Sequence, residues 1–463
     1  MRGSWTPVLA RMYDLKDIFA IEAELTETVA NELQANISTG EMLAVQERPT
    51  HDLIAYDLFT RAKTLSSSTT FGNPTTPQKL LQAVDLLNQA VARDPSFFLA
   101  YFQLAHTHDL LYFLGNDHTP GRLAMAEAAV QTACQLRPHA GEAHLARGEN
   151  LYWGHLDFGH SLAELEIARQ TLPNDPRIFE LSGFIQRRQG KYEEALVNLE
   201  RALGLDPRNL DTLQEIATTN AILRHYAKEA AVLDRCLSIA PNDMDTRVVR
   251  AQLDLNWKAD PRPLRQVINS IRAENPSAAS AIADSALMCA LAERDARAAE
   301  AALESLGDNT FTNFDQIPVD RNVGEGLVAR MAREDAKAQT AFNAAHVKQE
   351  RRLQAQPDYA PAISVLGLID AGLGRKDDAL QEGRRAIELL PVETDSIKGT
   401  QLIKNLAVIA AWTGEKDLAC EELGIAAKLP GYLSYGQLKL LPWWDPLRGD
   451  PRFEKIVASL APK

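Results

Sequence analysis

The chain has 463 residues, too many for one compact core, since single cores stop growing at roughly 250–300 residues. Apolar residues at 45% and charged residues at 24% exclude a disordered chain. The formal net charge of −13, with no basic block, argues against nucleic acid as a direct partner, and no run of about 20 apolar residues could cross a membrane.

Taken in chain order, the start MRGSWTPVLA lacks the apolar core of a signal peptide and the helical patterning of the remaining chain, so residues 1–12 read as a leader of the kind a vector supplies. A helical pattern begins at Tyr13, YDLKDIFAIEAELTETVANEL, and another, KLLQAVDLLNQAVARDP, closes at Pro95. Between them SSSTTFGNPTTP, residues 66–77, is a polar interhelical loop without phosphate-cradle spacing. From there helix-ending prolines recur: Pro138, Pro173, Pro207, Pro241 and Pro276, spaced 35, 34, 34 and 35, then Pro357 and Pro391, 34 apart. A fixed period of this length means a solenoid. In GKYEEALVNLERALGLDP, residues 190–207, Ala195, Leu199 and Ala202 fall on one helix face and Pro207 ends the segment. Each unit reads as two antiparallel helices, A and B, with Gly190 or Gly374 at the turn. The 81 residues from Pro276 to Pro357 fit two divergent units. The cysteines Cys134, Cys236, Cys289 and Cys420 lie far apart inside helical patterns, which predicts small buried residues in a reducing, cytoplasmic setting.

With this spacing of small and large residues, turn glycines and closing prolines, the chain resembles the tetratricopeptide repeat family. The resemblance implies an all-α fold, a right-handed superhelical solenoid of about ten helix pairs between residues 51 and 432. Glu229, Ser161 and Gln186 depart from the family's preference for small or aromatic residues. Residues 13–50, through Asp17, Ile18, Phe19, Ala20, Ile21 and Glu24, resemble the last helix of the TolB-like domain found before such repeats in bacterial signalling proteins, which implies a truncated signalling protein. The tail, 433–463, breaks the period and is expected to cap the last repeat with Trp443, Trp444, Leu447 and Phe453.

Seven histidines, His106, His108, His118, His139, His144, His155 and His160, crowd into 55 residues, and His106 and Asp109 share a helix face. No recognised metal-ligand spacing is among them, so the preferred reading is loop and helix-end histidines, with no metal and no cofactor. No nucleophile elbow or partnered cysteine points to catalysis.

The better candidate is a binding groove. In the family, A helices line a concave surface, and here Arg177, Glu180, Phe184, Arg187 and Arg188 follow i, i+3, i+7, i+10 and i+11, with Asp211 and Gln214 on the next unit. Three arginines on one face predict a solvent-facing basic spot for a carboxylate or acidic peptide. The expected function is therefore a protein- or peptide-binding scaffold, with self-association as another partner. The alternative is an atypical hydrolase in the groove or in segment 106–160.

Overall fold

The computed structural model describes residues 21, 24–29, 48–67, 76–307, 310–314 and 317–462. The leader expected at 1–12 and most of the remnant expected at 13–50 lie outside the described residues, as does most of the loop at 66–77.

Among the described residues ten antiparallel helix pairs follow one another. They are α1 (Leu53–Ser67) with α2 (Thr76–Arg93), α3 (Phe98–Phe113) with α4 (Pro120–Leu136), α5 (Gly141–Trp153) with α6 (Phe158–Thr171), α7 (Pro176–Arg188) with α8 (Tyr192–Leu205), and α9 (Leu210–Ile222) with α10 (Tyr226–Ile239). The series continues with α11 (Met244–Lys258) and α12 (Arg262–Glu274), α13 (Ala283–Glu293) and α14 (Ala296–Leu306), α15 (Arg321–Met331) and α16 (Asp335–Ala355), α17 (Ala360–Leu373) and α18 (Lys376–Leu389), and α19 (Ser396–Trp412) and α20 (Lys416–Lys428). The all-α solenoid read from the period is the fold. One departure falls in the long stretch after Pro276. There an antiparallel hairpin of β1 (Phe311–Phe314) and β2 (Ile317–Val319) buries Phe311, Ile317 and Val319 beside α13, so a little strand is present where none was expected.

Local chemistry explains the period. After Pro173, Pro207 and Pro241, the second following residue is Asp175, Asn209 or Asp243, and each side chain caps the next A helix by accepting a backbone N–H, from Arg177, Thr212 and Thr246 at 2.9–3.0 Å. Between A and B helices the chain passes through a left-handed residue, which is Gly190, Gly374 or Gly414 in three units but Arg224, Ala259, Arg294 or Arg333 in four others. Close pairing needs small residues. A Cβ at Gly183 would lie 3.0 Å from both the Ala195 carbonyl oxygen and Leu199 Cγ, and Ala195, Leu199 and Ala202 are fully buried. The departures from the family pattern are absorbed locally: Ser161 donates to the Gly148 carbonyl at 2.6 Å, and Gln186 accepts from Asn198 at 2.8 Å.

The superhelix closes on itself, which the period alone does not predict. Two large apolar cores, one running from Ala55 to Ile185 and one from Val248 to Val457, are bridged by Tyr192, Ile222 and Ile397. Arg352, near the end of α16, donates to the Gly115 carbonyl at 2.6 Å, and Tyr359 stacks on His118. The segment after α20 runs along the C-terminal ends of the middle A helices. Gly431 N–H donates to Ile222 O at 2.9 Å, Arg224 donates to Leu433 O at 2.8 Å, and Arg294 pairs with Asp445 at 2.6 Å. A short helix, α21 (Tyr435–Leu440), packs on α11 and α13, so tightly that a Cβ at Gly436 would overlap the Leu255 carbonyl. The last helix, α22 (Pro451–Ser459), covers α20. Trp443, Trp444, Leu447 and Phe453 are buried, and Trp412 donates its indole N–H to the Trp443 carbonyl at 3.0 Å. The tail thus also joins the middle of the solenoid to its end.

Candidate functional site

The seven residues expected to line the groove lie on α7 and α9, on the faces that meet neighbouring A helices. Their hydrogen-bonding groups are largely used between units. Thr212 donates to Glu180 at 2.5 Å, Arg187 pairs with Glu215 at 2.7 Å and donates to Thr219 at 3.1 Å, and Gln214 donates to Thr246 at 3.0 Å. Partners 180 and 212, 187 and 219, and 214 and 246 are each 32 residues apart, two short of the period, so one ladder links successive units. A hydrogen bond of this kind contributes about 0.5–1.5 kcal/mol net, and more where it carries charge.

The expected solvent-facing basic spot is not formed. Arg187 and Arg188 are each only 9% exposed. Arg188 reaches across the closure, donating to the Tyr152 hydroxyl at 2.8 Å and pairing at 2.5 Å with Asp395, which is fully buried. Its guanidinium stacks over Phe113, 4.7 Å from the ring centroid, and that of Arg187 lies over Phe184. Arg177 stays at the surface but pairs with its own helix cap, Asp175, and lies over Phe102. The physical reason is that a buried arginine needs a counter-charge: the neighbouring A helix supplies Glu215 to Arg187, and the closure brings Asp395 to Arg188.

Apart from Arg177, what remains accessible on this wall is mostly acidic. Asp175, Glu180, Asp211, Glu215 and Asp243 stand together against Arg177 and Arg187. Desolvation pushes the carboxyl of Glu180 upward, and Glu215, Asp211 and Asp175 add to it. Asp211 is raised likewise by desolvation and then by Glu215 and Asp243. Sequence reasoning missed Glu215, Asp243, Asp395 and Tyr152. The first two were within reach, because a ladder partner sits roughly one period downstream; Asp395 and Tyr152 depend on the closure.

The histidines do not converge. His106 pairs with Glu149 at 3.1 Å, His144 with Glu164 at 2.6 Å, His155 with Glu127 at 3.1 Å and His160 with Asp157 at 2.7 Å, while Arg122 meets His108 at 2.8 Å. Among the described residues no three His, Cys, Asp or Glu side chains form a group fit to hold a metal ion, and no helix is long and apolar enough to cross a membrane. A surface hollow of about 560 Å³ lies between α4 and α5 and is lined by Glu127, Gln131, Cys134, Arg147 and Asn150 among others.

This geometry defines a helix-pair repeat protein whose inner wall is partly self-occupied. Residues 176–209, the unit bearing the three arginines, match the tetratricopeptide repeat family. No curated protein matches the chain. Among solved structures, a thermophilic tetratricopeptide-repeat protein of Thermus thermophilus is similar over 43% of this chain and 99% of its own, at 18% identity and a TM-score of 0.37. The type IV pilus biogenesis factor PilW is similar over 49% of this chain and 95% of its own, at 17% identity and a TM-score of 0.36. The human IFIT1 dimer with m7Gppp-AAAA is similar over 81% of this chain and 88% of its own, at 13% identity and a TM-score of 0.41. The chain is thus an all-α solenoid of helix pairs in which residues 176–209 match the tetratricopeptide repeat family.

Proposed function

We propose that the chain is a protein-binding scaffold whose receptive surface is the inner wall of α7, α9 and the start of α11, and that it takes a cationic segment of a partner. The supporting observation is the set of five carboxylates, Asp175, Glu180, Asp211, Glu215 and Asp243, facing only two arginines, both already paired. Desolvation first and then neighbouring carboxylates raise Glu180 and Asp211; a lysine or arginine side chain laid there relieves the repulsion and gains charge-assisted hydrogen bonds. Arg177, Phe184 and Gln214 supply the remaining contacts, while Arg187 and Arg188 hold the wall from behind. The acidic ligand that an open arginine face would select is disfavoured by the same charges. Within the same proposal, the role is that of the sensory or assembly region of a bacterial signalling protein.

Binding of the full chain to matched sets of lysine-rich and glutamate-rich peptides, followed by calorimetry, tests this reading. Lysine-rich peptides should bind, more weakly as salt rises. Changing Glu180→Gln and Asp211→Asn together should lower their affinity at least about tenfold, roughly 1.4 kcal/mol. Preference for glutamate-rich peptides, or equal binding by the double variant, would overturn it.

A further inference from the structure

Where the last two units meet the first four, one cation has no counter-charge of its own. Lys398 lies in the first turn of α19, just after the cap residue Asp395. The carboxylate of Asp395 is already engaged: Oδ1 accepts the backbone N–H groups of Ile397 and Lys398 at 3.0 Å each, and Oδ2 takes Arg188 at 2.5 Å. The Lys398 ammonium instead rests on ring faces, 4.8 Å from the centroid of Phe113 and 5.9 Å from that of Tyr359. Among the described residues no side-chain or backbone acceptor receives a hydrogen bond from it.

Two further cations and a histidine surround it. From α7, Arg188 lies against the same Phe113 ring as Lys398. From α16, Arg352 lies 5.8 Å over the Tyr359 ring. From the α3–α4 loop, His118 stacks between Tyr112 at 3.8 Å and Tyr359 at 4.2 Å. The acid facing the group is Asp395, engaged as described; Asp117, next to His118, is held by Thr119 and Arg122. Tyr152 faces it from α5, its hydroxyl taken by Arg188. The crowding is felt: burial, with Arg188 adding, lowers Lys398 to about 8, and burial lowers His118 to about 4, with Lys398 and Arg352 contributing. In a chain of net charge −13, this junction gathers Arg188, Arg352 and Lys398 around the occupied carboxylate of Asp395.

We propose that the junction is a binding site for a small oxyanion, a carboxylate or phosphate group, received by the Lys398 ammonium with Arg352 beside it and walled by Phe113 and Tyr359. An oxyanion there supplies the acceptor that Lys398 lacks and balances the local charge at a joint between the two cores. This site is separate from the acidic wall and opposite to it in sign, so neither proposal depends on the other.

The test uses the full chain, with inorganic phosphate and acetate as separate probes, at ionic strength held constant with sodium chloride. Lysine acylation by a small activated ester is followed residue by residue by mass spectrometry. At about ten times its dissociation constant, a bound oxyanion should slow acylation of Lys398 about tenfold by mass action, leaving surface lysines unaffected. Protection by phosphate alone, by acetate alone or by both supports the site and tells which chemistry it takes. In parallel, thermal unfolding of wild type should rise saturably with the effective probe, Lys398→Arg should keep the rise, and Lys398→Met should lose it. No selective protection of Lys398 by either probe, or an equal thermal rise in Lys398→Met, overturns the proposal. The labelling arm needs only the wild-type protein, so it decides even if a variant fails to fold.

Discussion

The A helices α7 and α17 occupy the same place in their repeats and live in different surroundings. In α7, PRIFELSGFIQRR, the apolar side chains Ile178, Leu181 and Ile185 are buried, and Arg177, Glu180 and Phe184 stay partly accessible. In α17, APAISVLGLIDAGL, every residue from Ala360 to Gly372 is buried, and α19 is almost as enclosed. A helix apolar all round must be covered all round, and in the last two units the cover comes partly from the first ones across the closure. Position in the repeat decides which face meets the partner helix. Position along the superhelix decides whether the opposite face meets water.

The sharpest way to break this comparison is at the joint. Replacing Arg188 with Ala strands the fully buried Asp395 without its cation, which should cost about 3–5 kcal/mol in urea unfolding. The same change at Arg177, whose side chain is 43% exposed, should stay within about 0.5 kcal/mol. Equal effects at the two sites would mean that the closure carries no stability.

Glu229 sharpens the comparison within the open half. It sits on α10 where the family prefers a small residue, is 5% exposed, and burial raises its carboxyl to about 8 from an ordinary 4.5. A proton held by the folded chain and lost by the unfolded one gives a contribution that is complete below pH 4.5 and disappears as pH rises through about 8. Glu229→Gln should make the fall in stability across that window shallower, not abolish it, because Glu382 is also raised to about 8. Above pH 8 the variant should be more stable than wild type by about 1–3 kcal/mol, since the carboxylate buried without a partner at position 229 is then gone. Denaturation midpoints on both sides of the window check this, and parallel profiles would refute it.

The smallest expected effect lies in the turns. Arg333 is exposed and holds a left-handed backbone at φ 60°, where Gly190 and Gly374 stand in other units. Arg333→Gly should remove that strain and raise stability by up to about 1 kcal/mol. A loss would show that this turn, unlike its glycine counterparts, depends on the side chain.

The sequence by itself determined the repeat. Helix pairs, their period, the turns and the buried Ala195, Leu199 and Ala202 follow from local rules of capping, left-handed turns and small-residue contact, which act within a few residues or one unit. It also placed Arg177, Glu180, Phe184, Arg187, Arg188, Asp211 and Gln214 on two successive A helices. It did not determine what that face meets. Tertiary structure decided that Arg188 pairs with Asp395, 207 residues away, that Gly431 bonds Ile222, and that a face expected to be basic is left acidic. Local patterning fixes each small angle between neighbouring units, but only their accumulation over ten pairs brings the last units against the first. Burial and the pairing of charges are settled there, because a charge taken out of water keeps its place only where an opposite charge has been brought to meet it.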